Sequence, residues 1–260
     1  MSGQKVILFT DLDNTIIHSH RHEILEAKVV AEKIDERVQS FIHKRLRDYL
    51  AEQNWLKIVP VTMRTTNQYL RLKELSQSLN IDLALICNGA IRLKDFETDH
   101  RWIKESEAII QPEQLAEFDG LLSYCESIMP EGSIVLTYPF MFYIKAESAE
   151  EVRTDLESKA DRNHITIYND KHKVYCLPYC INKGLAIKRW INLLGDHSVT
   201  IAMGDDAPDI PMLDAADYAI CTDNIYKEVK AKKAKYGCDF RQSEMIVNTL
   251  ELIRSEVSVI

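Results

Sequence analysis

The sequence predicts an α/β fold with a parallel β-sheet core, interrupted by a separate α+β domain. Three observations carry this. Short β-rich runs alternate with helical patterns near both ends of the chain, the signature of βαβ units around a parallel sheet. Polar, acidic turns follow those runs. Between them, from Ile91 to Leu177, strand patterns come in pairs, as in antiparallel hairpins. The boundaries read from these patterns are 1–90 and 181–260 for the core and 91–180 for the insert.

Core strands are predicted at 5–10 (KVILFT), 57–62 (KIVPVT), 83–87 (LALIC), 199–203 (VTIAM) and 217–221 (DYAIC), continuous apolar runs suited to burial on both faces. Between the first two, Ile34, Val38, Phe41, Ile42, Leu46 and Tyr49 recur at steps of three and four, which predicts one helix. A second helix is predicted over 67–79, with Leu72, Leu75 and Leu79 facing inward, and a third over 183–194, closed by Gly195. In the insert, strands are expected at 91–96, 101–104, 133–138, 141–145, 164–168 and 173–177, and helices at 112–127 and 149–160. His18, His20 and His22 read as a polar loop past the first strand.

Composition narrows the partners. A net charge of −8, with no basic run longer than KAKKAK near residue 230, argues against nucleic acid as a ligand. The apolar stretch VILF near the start is too short for a secretion signal or a membrane span, so no membrane association and a cytoplasmic location are expected. Six scattered cysteines without a C-x-x-C pair agree with a reducing compartment. Oligomeric state is not legible.

Ligands of open parallel sheets sit beyond the carboxyl ends of the strands. Here those ends carry Asp11 and Asp13, then Thr62-Met63-Arg64, then Asn88-Gly89, then Gly204-Asp205-Asp206 with Asp209 close behind. Clustered carboxylates repel one another unless a cation sits among them, and oxygen-only ligands point to Mg²⁺, which also takes substrate phosphate. A phosphate on that metal needs a nucleophile, and Asp11 is the candidate. Asp13, two residues on, suits a general acid/base that protonates the leaving oxygen and then deprotonates water. Thr62, Met63, Lys183 and the amide of Leu12 are the candidate phosphate ligands, and Arg64, Asn88 and Gly89 are possible substrate contacts.

These motifs, in this order, resemble the haloacid dehalogenase-like (HAD) superfamily of phosphatases, whose first motif is an apolar strand followed by D-x-D-G-T. It stands here as Asp11-Leu12-Asp13-Asn14-Thr15. Thr62, Lys183 and GDDAPD match the second, third and fourth motifs, and ICNGA with DIPMLDAADYAI is similar to the Cof-type and sucrose-phosphate-phosphatase branch. The resemblance implies a Rossmann-like core with an inserted C2-type cap that closes over the site. It also implies an Mg²⁺-dependent phosphatase acting on a small phosphorylated metabolite, favouring a sugar phosphate, through an aspartyl-phosphate. The metal would rest on Asp11, Asp205 and the carbonyl of Asp13, with Asp209 behind them. A nucleotide or other metabolite as substrate, or a non-catalytic phosphate-binding protein on the same fold, are the alternatives. Asn14, Met63 and Pro208 depart from the family pattern.

Overall fold

The structure, a computed structural model, describes residues 6–170, 172–194 and 198–258. The chain divides into two compact units, one formed by the stretch up to Thr98 together with that from Lys183 onward, the other by Asp99–Asn182. The first unit begins with β1 (Val6–Thr10), β2 (His18–Ser19), β3 (Lys28–Ile34), β4 (Arg37–His43), α1 (Lys44–Glu52), β5 (Leu56–Pro60), α2 (Thr66–Leu70), α3 (Lys73–Ser78), β6 (Leu83–Ile86), β7 (Ile91–Lys94) and β8 (Glu97–Thr98). The second unit holds α4 (His100–Ala108), α5 (Pro112–Ile128), β9 (Ile134–Thr137), β10 (Met141–Lys145), α6 (Ala149–Glu157), β11 (Ile165–Asp170) and β12 (Lys173–Pro178). The chain then returns to the first unit with α7 (Lys183–Leu194), β13 (Val199–Gly204), α8 (Ile210–Ala215), β14 (Tyr218–Cys221), α9 (Asp223–Tyr226), β15 (Ala234–Gly237) and α10 (Ser243–Ser258).

The first unit is built on a parallel sheet in the order β15-β14-β13-β1-β5. Every residue of β1 and β13 is buried, so these two central strands need apolar side chains on both faces, and VILFT and VTIAM supply them. β6 continues the sheet only at the parallel bridge Val61–Leu85 and otherwise pairs antiparallel with β7. The run predicted at 91–96 is thus β7, the partner of β6 within the first unit.

The helix predicted across residues 34–49 is corrected by the structure: the segment is the β3/β4 hairpin, and α1 starts only at Lys44. The three-and-four spacing was coincidental on a stretch rich in Val, Ile and Phe, which favour the pleated strand. Its turn is made by Asp35 and Glu36, both at positive φ (47° and 63°), without the glycine that usually signals such a hairpin. The helix predicted at 67–79 is two short helices, α2 and α3, although Leu72, Leu75 and Leu79 are buried as expected. Gly195 lies outside the described residues.

In the second unit a four-stranded antiparallel sheet runs β11-β12-β10-β9. Residues of α5 and α6 pack with one side of it, where Phe118, Leu122, Leu156, Phe142, Ile144 and Val174 share one apolar cluster. The strand predicted at 101–104 is the start of α4. Asp99 caps it by accepting from the Trp102 amide (3.0 Å), and the buried Trp102 and Ser106 lie one turn apart, the period of a helix.

His18 is no loop residue. It is buried in β2 with its ring edge-on to His43, centroids 5.2 Å apart. Nε2 of His18 and both ring nitrogens of His43 make no hydrogen bond among the described residues, and the Nδ1 of His43 lies 3.4 Å from Glu26. Burial, helped by the neighbouring His43, pushes the His18 pKa down to about 4. An unfolded histidine takes up a proton near pH 6.5, so this pair stabilises the fold above that pH and the contribution is lost as pH falls toward 4. Between pH 7 and pH 5, wild-type protein is expected to lose about 2 kcal/mol more stability than a His18→Phe variant, measured by denaturant unfolding at the two pH values.

Candidate active site

β1 delivers Asp11 to the carboxyl edge of the sheet, and the turn after it is tight. The Asn14 amide donates to Ile17 O (2.8 Å) and the Ile17 amide to Leu12 O (2.9 Å). Asn14 adopts φ +60°, so the position usually held by glycine keeps its left-handed backbone, which asparagine tolerates better than most residues. Thr15, at the end of the motif, is buried, and its hydroxyl donates to Asp205 Oδ1 (3.0 Å), tying this turn to the end of β13.

β13 ends at Gly204, where a Cβ would lie 2.4 Å from the Cβ of Asp209, so only glycine lets Asp209 approach this closely. Asp209 Oδ2 accepts from the amides of Asp205 (3.0 Å) and Asp206 (3.2 Å). Asp206 is exposed and accepts from the Ala207 amide, which makes it a cap of the following turn; Pro208 sits inside that turn, where a missing N–H costs little. Lys183 opens α7 with its side chain 2% exposed, its ammonium donating to Asp11 Oδ1 (2.7 Å) and Asp209 Oδ1 (2.6 Å). Gly184 beside it meets the Pro211 carbonyl, where a Cβ would be 2.2 Å from the oxygen, and so brings α7 against α8.

Electrostatically the centre is a buried cation among carboxylates. Burial pushes the Asp11 pKa up; Lys183 pulls it back, and Asp209 and Asp13 push it up again. Asp205 is raised by burial and by Asp11 and Asp209. Burial alone would lower the Lys183 pKa, but Asp11 and Asp209 overcome it and keep the ammonium charged. Carboxylate oxygens of Asp11, Asp205 and Asp209 lie within 4.8 Å of one another, an oxygen-only set that fits a divalent cation. Of the three, Asp209 already has both oxygens engaged by Lys183 and the two amides. Asp11 and Asp205 therefore have the freer oxygens for a metal.

Thr62 follows β5 and is 1% exposed, with its hydroxyl accepting from the Arg64 amide (3.2 Å). Its amide donates to Leu85 O and its carbonyl accepts from the Asn88 amide, both at 2.9 Å, which brings the end of β6 alongside. Cys87, Asn88 and Gly89 take φ values of 49°, 56° and 92°, a sharp buried turn at that end. Met63 is half-buried, and Leu12 is buried. Arg64, foreseen only as a substrate contact, holds Asp13 through two hydrogen bonds of 2.7 Å, from Nε to Oδ2 and from Nη2 to Oδ1. The Asp13 carboxylate thus points to Arg64 and is not in the acidic triad. The motif alone does not show the bond of Thr15 to Asp205. Glu32, which also binds Arg64, precedes the stretch from Ile34 that reads as a helix and falls in no predicted element; the run of Val and Ile around it was the available sign of a strand.

Residues 96–250 match the family of haloacid dehalogenase-like hydrolases. The chain belongs to this family. No curated protein sequence matches this hydrolase. Its fold is similar to solved structures along nearly the whole chain. One is a sucrose-phosphatase from Synechocystis in complex with sucrose and phosphate (13% identity, TM-score 0.57, covering 95% of this chain and 97% of that one). Another is a HAD subclass IIB sugar phosphatase (18% identity, TM-score 0.64, 96% and 99%). A third is a Thermoplasma acidophilum protein (16% identity, TM-score 0.59, 96% and 99%). At these identities the likeness establishes the shared HAD fold: the parallel sheet with flanking helices, and antiparallel sheets outside it.

Gly204→Ala in this hydrolase is expected to push Asp209 away from the strand end and cost about 1–3 kcal/mol of stability, read from denaturant unfolding.

Proposed function

We propose that the protein is an Mg²⁺-dependent phosphatase that hydrolyses a small phosphate monoester through an aspartyl-phosphate on Asp11. The observation that carries this is the buried Lys183 ammonium bonded to both Asp11 and Asp209, with Asp205 completing the acidic triad at the same strand ends. Lys183 offsets the charge of the nucleophile and of an incoming phosphate, and its two hydrogen bonds aim the Asp11 carboxylate.

An Asp11 oxygen attacks phosphorus as the bond from phosphorus to the leaving oxygen breaks, and the Asp13 carboxyl gives that oxygen its proton. Asp13, now a carboxylate, takes a proton from water as the water oxygen attacks the phosphorus of the aspartyl-phosphate. Inorganic phosphate leaves and Asp11 is regenerated. Thr62, with the amides of Leu12 and Met63, donates to the phosphoryl oxygens. Mg²⁺, held by Asp11, Asp205 and the carbonyl of Asp13 with Asp209 bracing them, would neutralise charge on the transferring group.

A sugar phosphate is the favoured substrate class, supported by the sugar-phosphate chemistry of the sucrose-phosphatase and the subclass IIB phosphatase that share the fold. Of the residues expected to contact substrate, Arg64 is engaged by Asp13, Glu32 and Gln68, and Asn88 and Gly89 are the proposed contacts beyond the phosphate. The protein is proposed to act in the cytoplasm.

Turnover of p-nitrophenyl phosphate with Mg²⁺ tests the reading: hydrolysis that falls by on the order of 10³-fold or more in Asp11→Asn supports it, and an active Asp11→Asn removes Asp11 as nucleophile. Mg²⁺ is also expected to raise the melting temperature of the wild type, and Asp205→Asn to abolish most of that rise, checked by a thermal shift titration.

A further inference from the structure

The β3/β4 hairpin carries a buried carboxylate that ordinary strand alternation would have turned outward. Ala31 and Glu32 are adjacent yet both buried, because the pairing with β4 shifts register between Val30 and Glu32 and again between Glu32 and Lys33. Such a bulge re-aims a side chain, and here it turns Glu32 into the first unit with only 3% of its side chain exposed.

Once inside, the carboxylate is fully engaged. Oε2 accepts from Arg64 Nη2 (3.0 Å) and weakly from the Ser40 hydroxyl (3.5 Å); Oε1 accepts from Arg71 Nε (2.6 Å). Arg64 is pinned on its other sides by the Gln68 carbonyl (3.2 Å from Nη1) and by Asp13. Its guanidinium is rigid and planar, so fixing Nη2 and Nη1 fixes the direction in which Nε and Nη2 present themselves to Asp13. A buried carboxylate, one of whose cationic partners reaches a catalytic candidate, is costly to maintain for packing alone.

We propose that Glu32 is a positioning residue for the phosphatase reaction: through Arg64 it holds the site to which the Asp13 carboxylate docks between its two proton transfers. This rests on the reading of Asp13 as acid/base. Glu32 touches neither substrate nor phosphate in this role, and its effect falls on the proton-transfer steps, where misplacement by a fraction of an ångström is felt strongly.

Steady-state kinetics on two probes test it, with Mg²⁺ present: phenyl phosphate, whose leaving oxygen needs a proton, and p-nitrophenyl phosphate, whose leaving group departs readily as an anion. Glu32→Gln is expected to lower kcat/KM for phenyl phosphate, which reports the steps through aspartyl-phosphate formation and not its later hydrolysis, on the order of 10- to 100-fold, and to affect kcat/KM for p-nitrophenyl phosphate much less. The Glu32→Gln/Arg64→Gln double variant is expected to be no slower than Arg64→Gln alone. Equal losses in kcat/KM on both probes, an unchanged kcat/KM for phenyl phosphate, or additive losses in the double variant would overturn the proposal. Should Glu32→Gln fold poorly, Arg71→Ala removes the second anchor of Glu32 from a more exposed position; the same leaving-group bias supports the proposal, and its absence overturns it. If wild-type protein hydrolyses neither probe, the phosphatase reading fails separately. The positioning is then read from the Arg64 Nε–H signal in ¹⁵N-arginine-labelled protein, assigned by its loss in Arg64→Gln. Slow exchange in wild type and fast exchange in Glu32→Gln support it; equal exchange overturns it.

Discussion

Everything at the carboxyl edge of the sheet depends on one buried ammonium. Lys183 is almost wholly removed from water, and an unpaired cation there would be prohibitively costly. Two carboxylates hold it, Asp11 from the end of β1 and Asp209 from the turn after β13, at 2.7 and 2.6 Å. Those same carboxylates would repel each other without it. The interaction therefore joins the two central strands and the first turn of α7, and it leaves Asp11 aimed, while the Asp205 carboxylate accepts from Thr15. Packing follows from this demand: Gly204 lets Asp209 approach, and Gly184 lets α7 settle on α8.

A second layer of charge lies beside the first. Asp13, Arg64, Glu32 and Arg71 form a chain of alternating sign that runs from the strand end into the β3/β4 hairpin. The two layers treat neighbouring aspartates differently. Asp11 is buried against a lysine, while the Asp13 carboxylate is half exposed and held by a planar fork. Two carboxylates one residue apart are thus kept distinct in burial, partner and freedom to move, which is what separate roles as nucleophile and acid/base require.

Much of this could be read in the chain before folding. The strand ends carrying Asp11, Thr62 and Asp205 were legible because continuous apolar runs buried on both faces are hard to mistake, and ligand-bearing turns follow them. Trp102 and the part of the hairpin from Ile34 to His43 were misread for the same reason, since short segments rich in aromatic and β-branched residues satisfy helical and strand spacing alike. His18 looked like part of a polar loop because alternation with His20 and His22 suggests exposure; only its place against His43 buries it.

The sequence by itself determined where β1, β5, β6, β13 and β14 fall, the residue types at each of those strand ends, and hence the family chemistry they suit. Those are local properties, written in periodicity and in short motifs. Tertiary structure alone decided which charges meet. Arg64 turns to Asp13, and Glu32 turns inward at a bulge 32 residues earlier in the chain than its partner, because buried charges must find opposite charges wherever the fold brings them. No periodicity records that requirement, since it is met between segments distant in sequence.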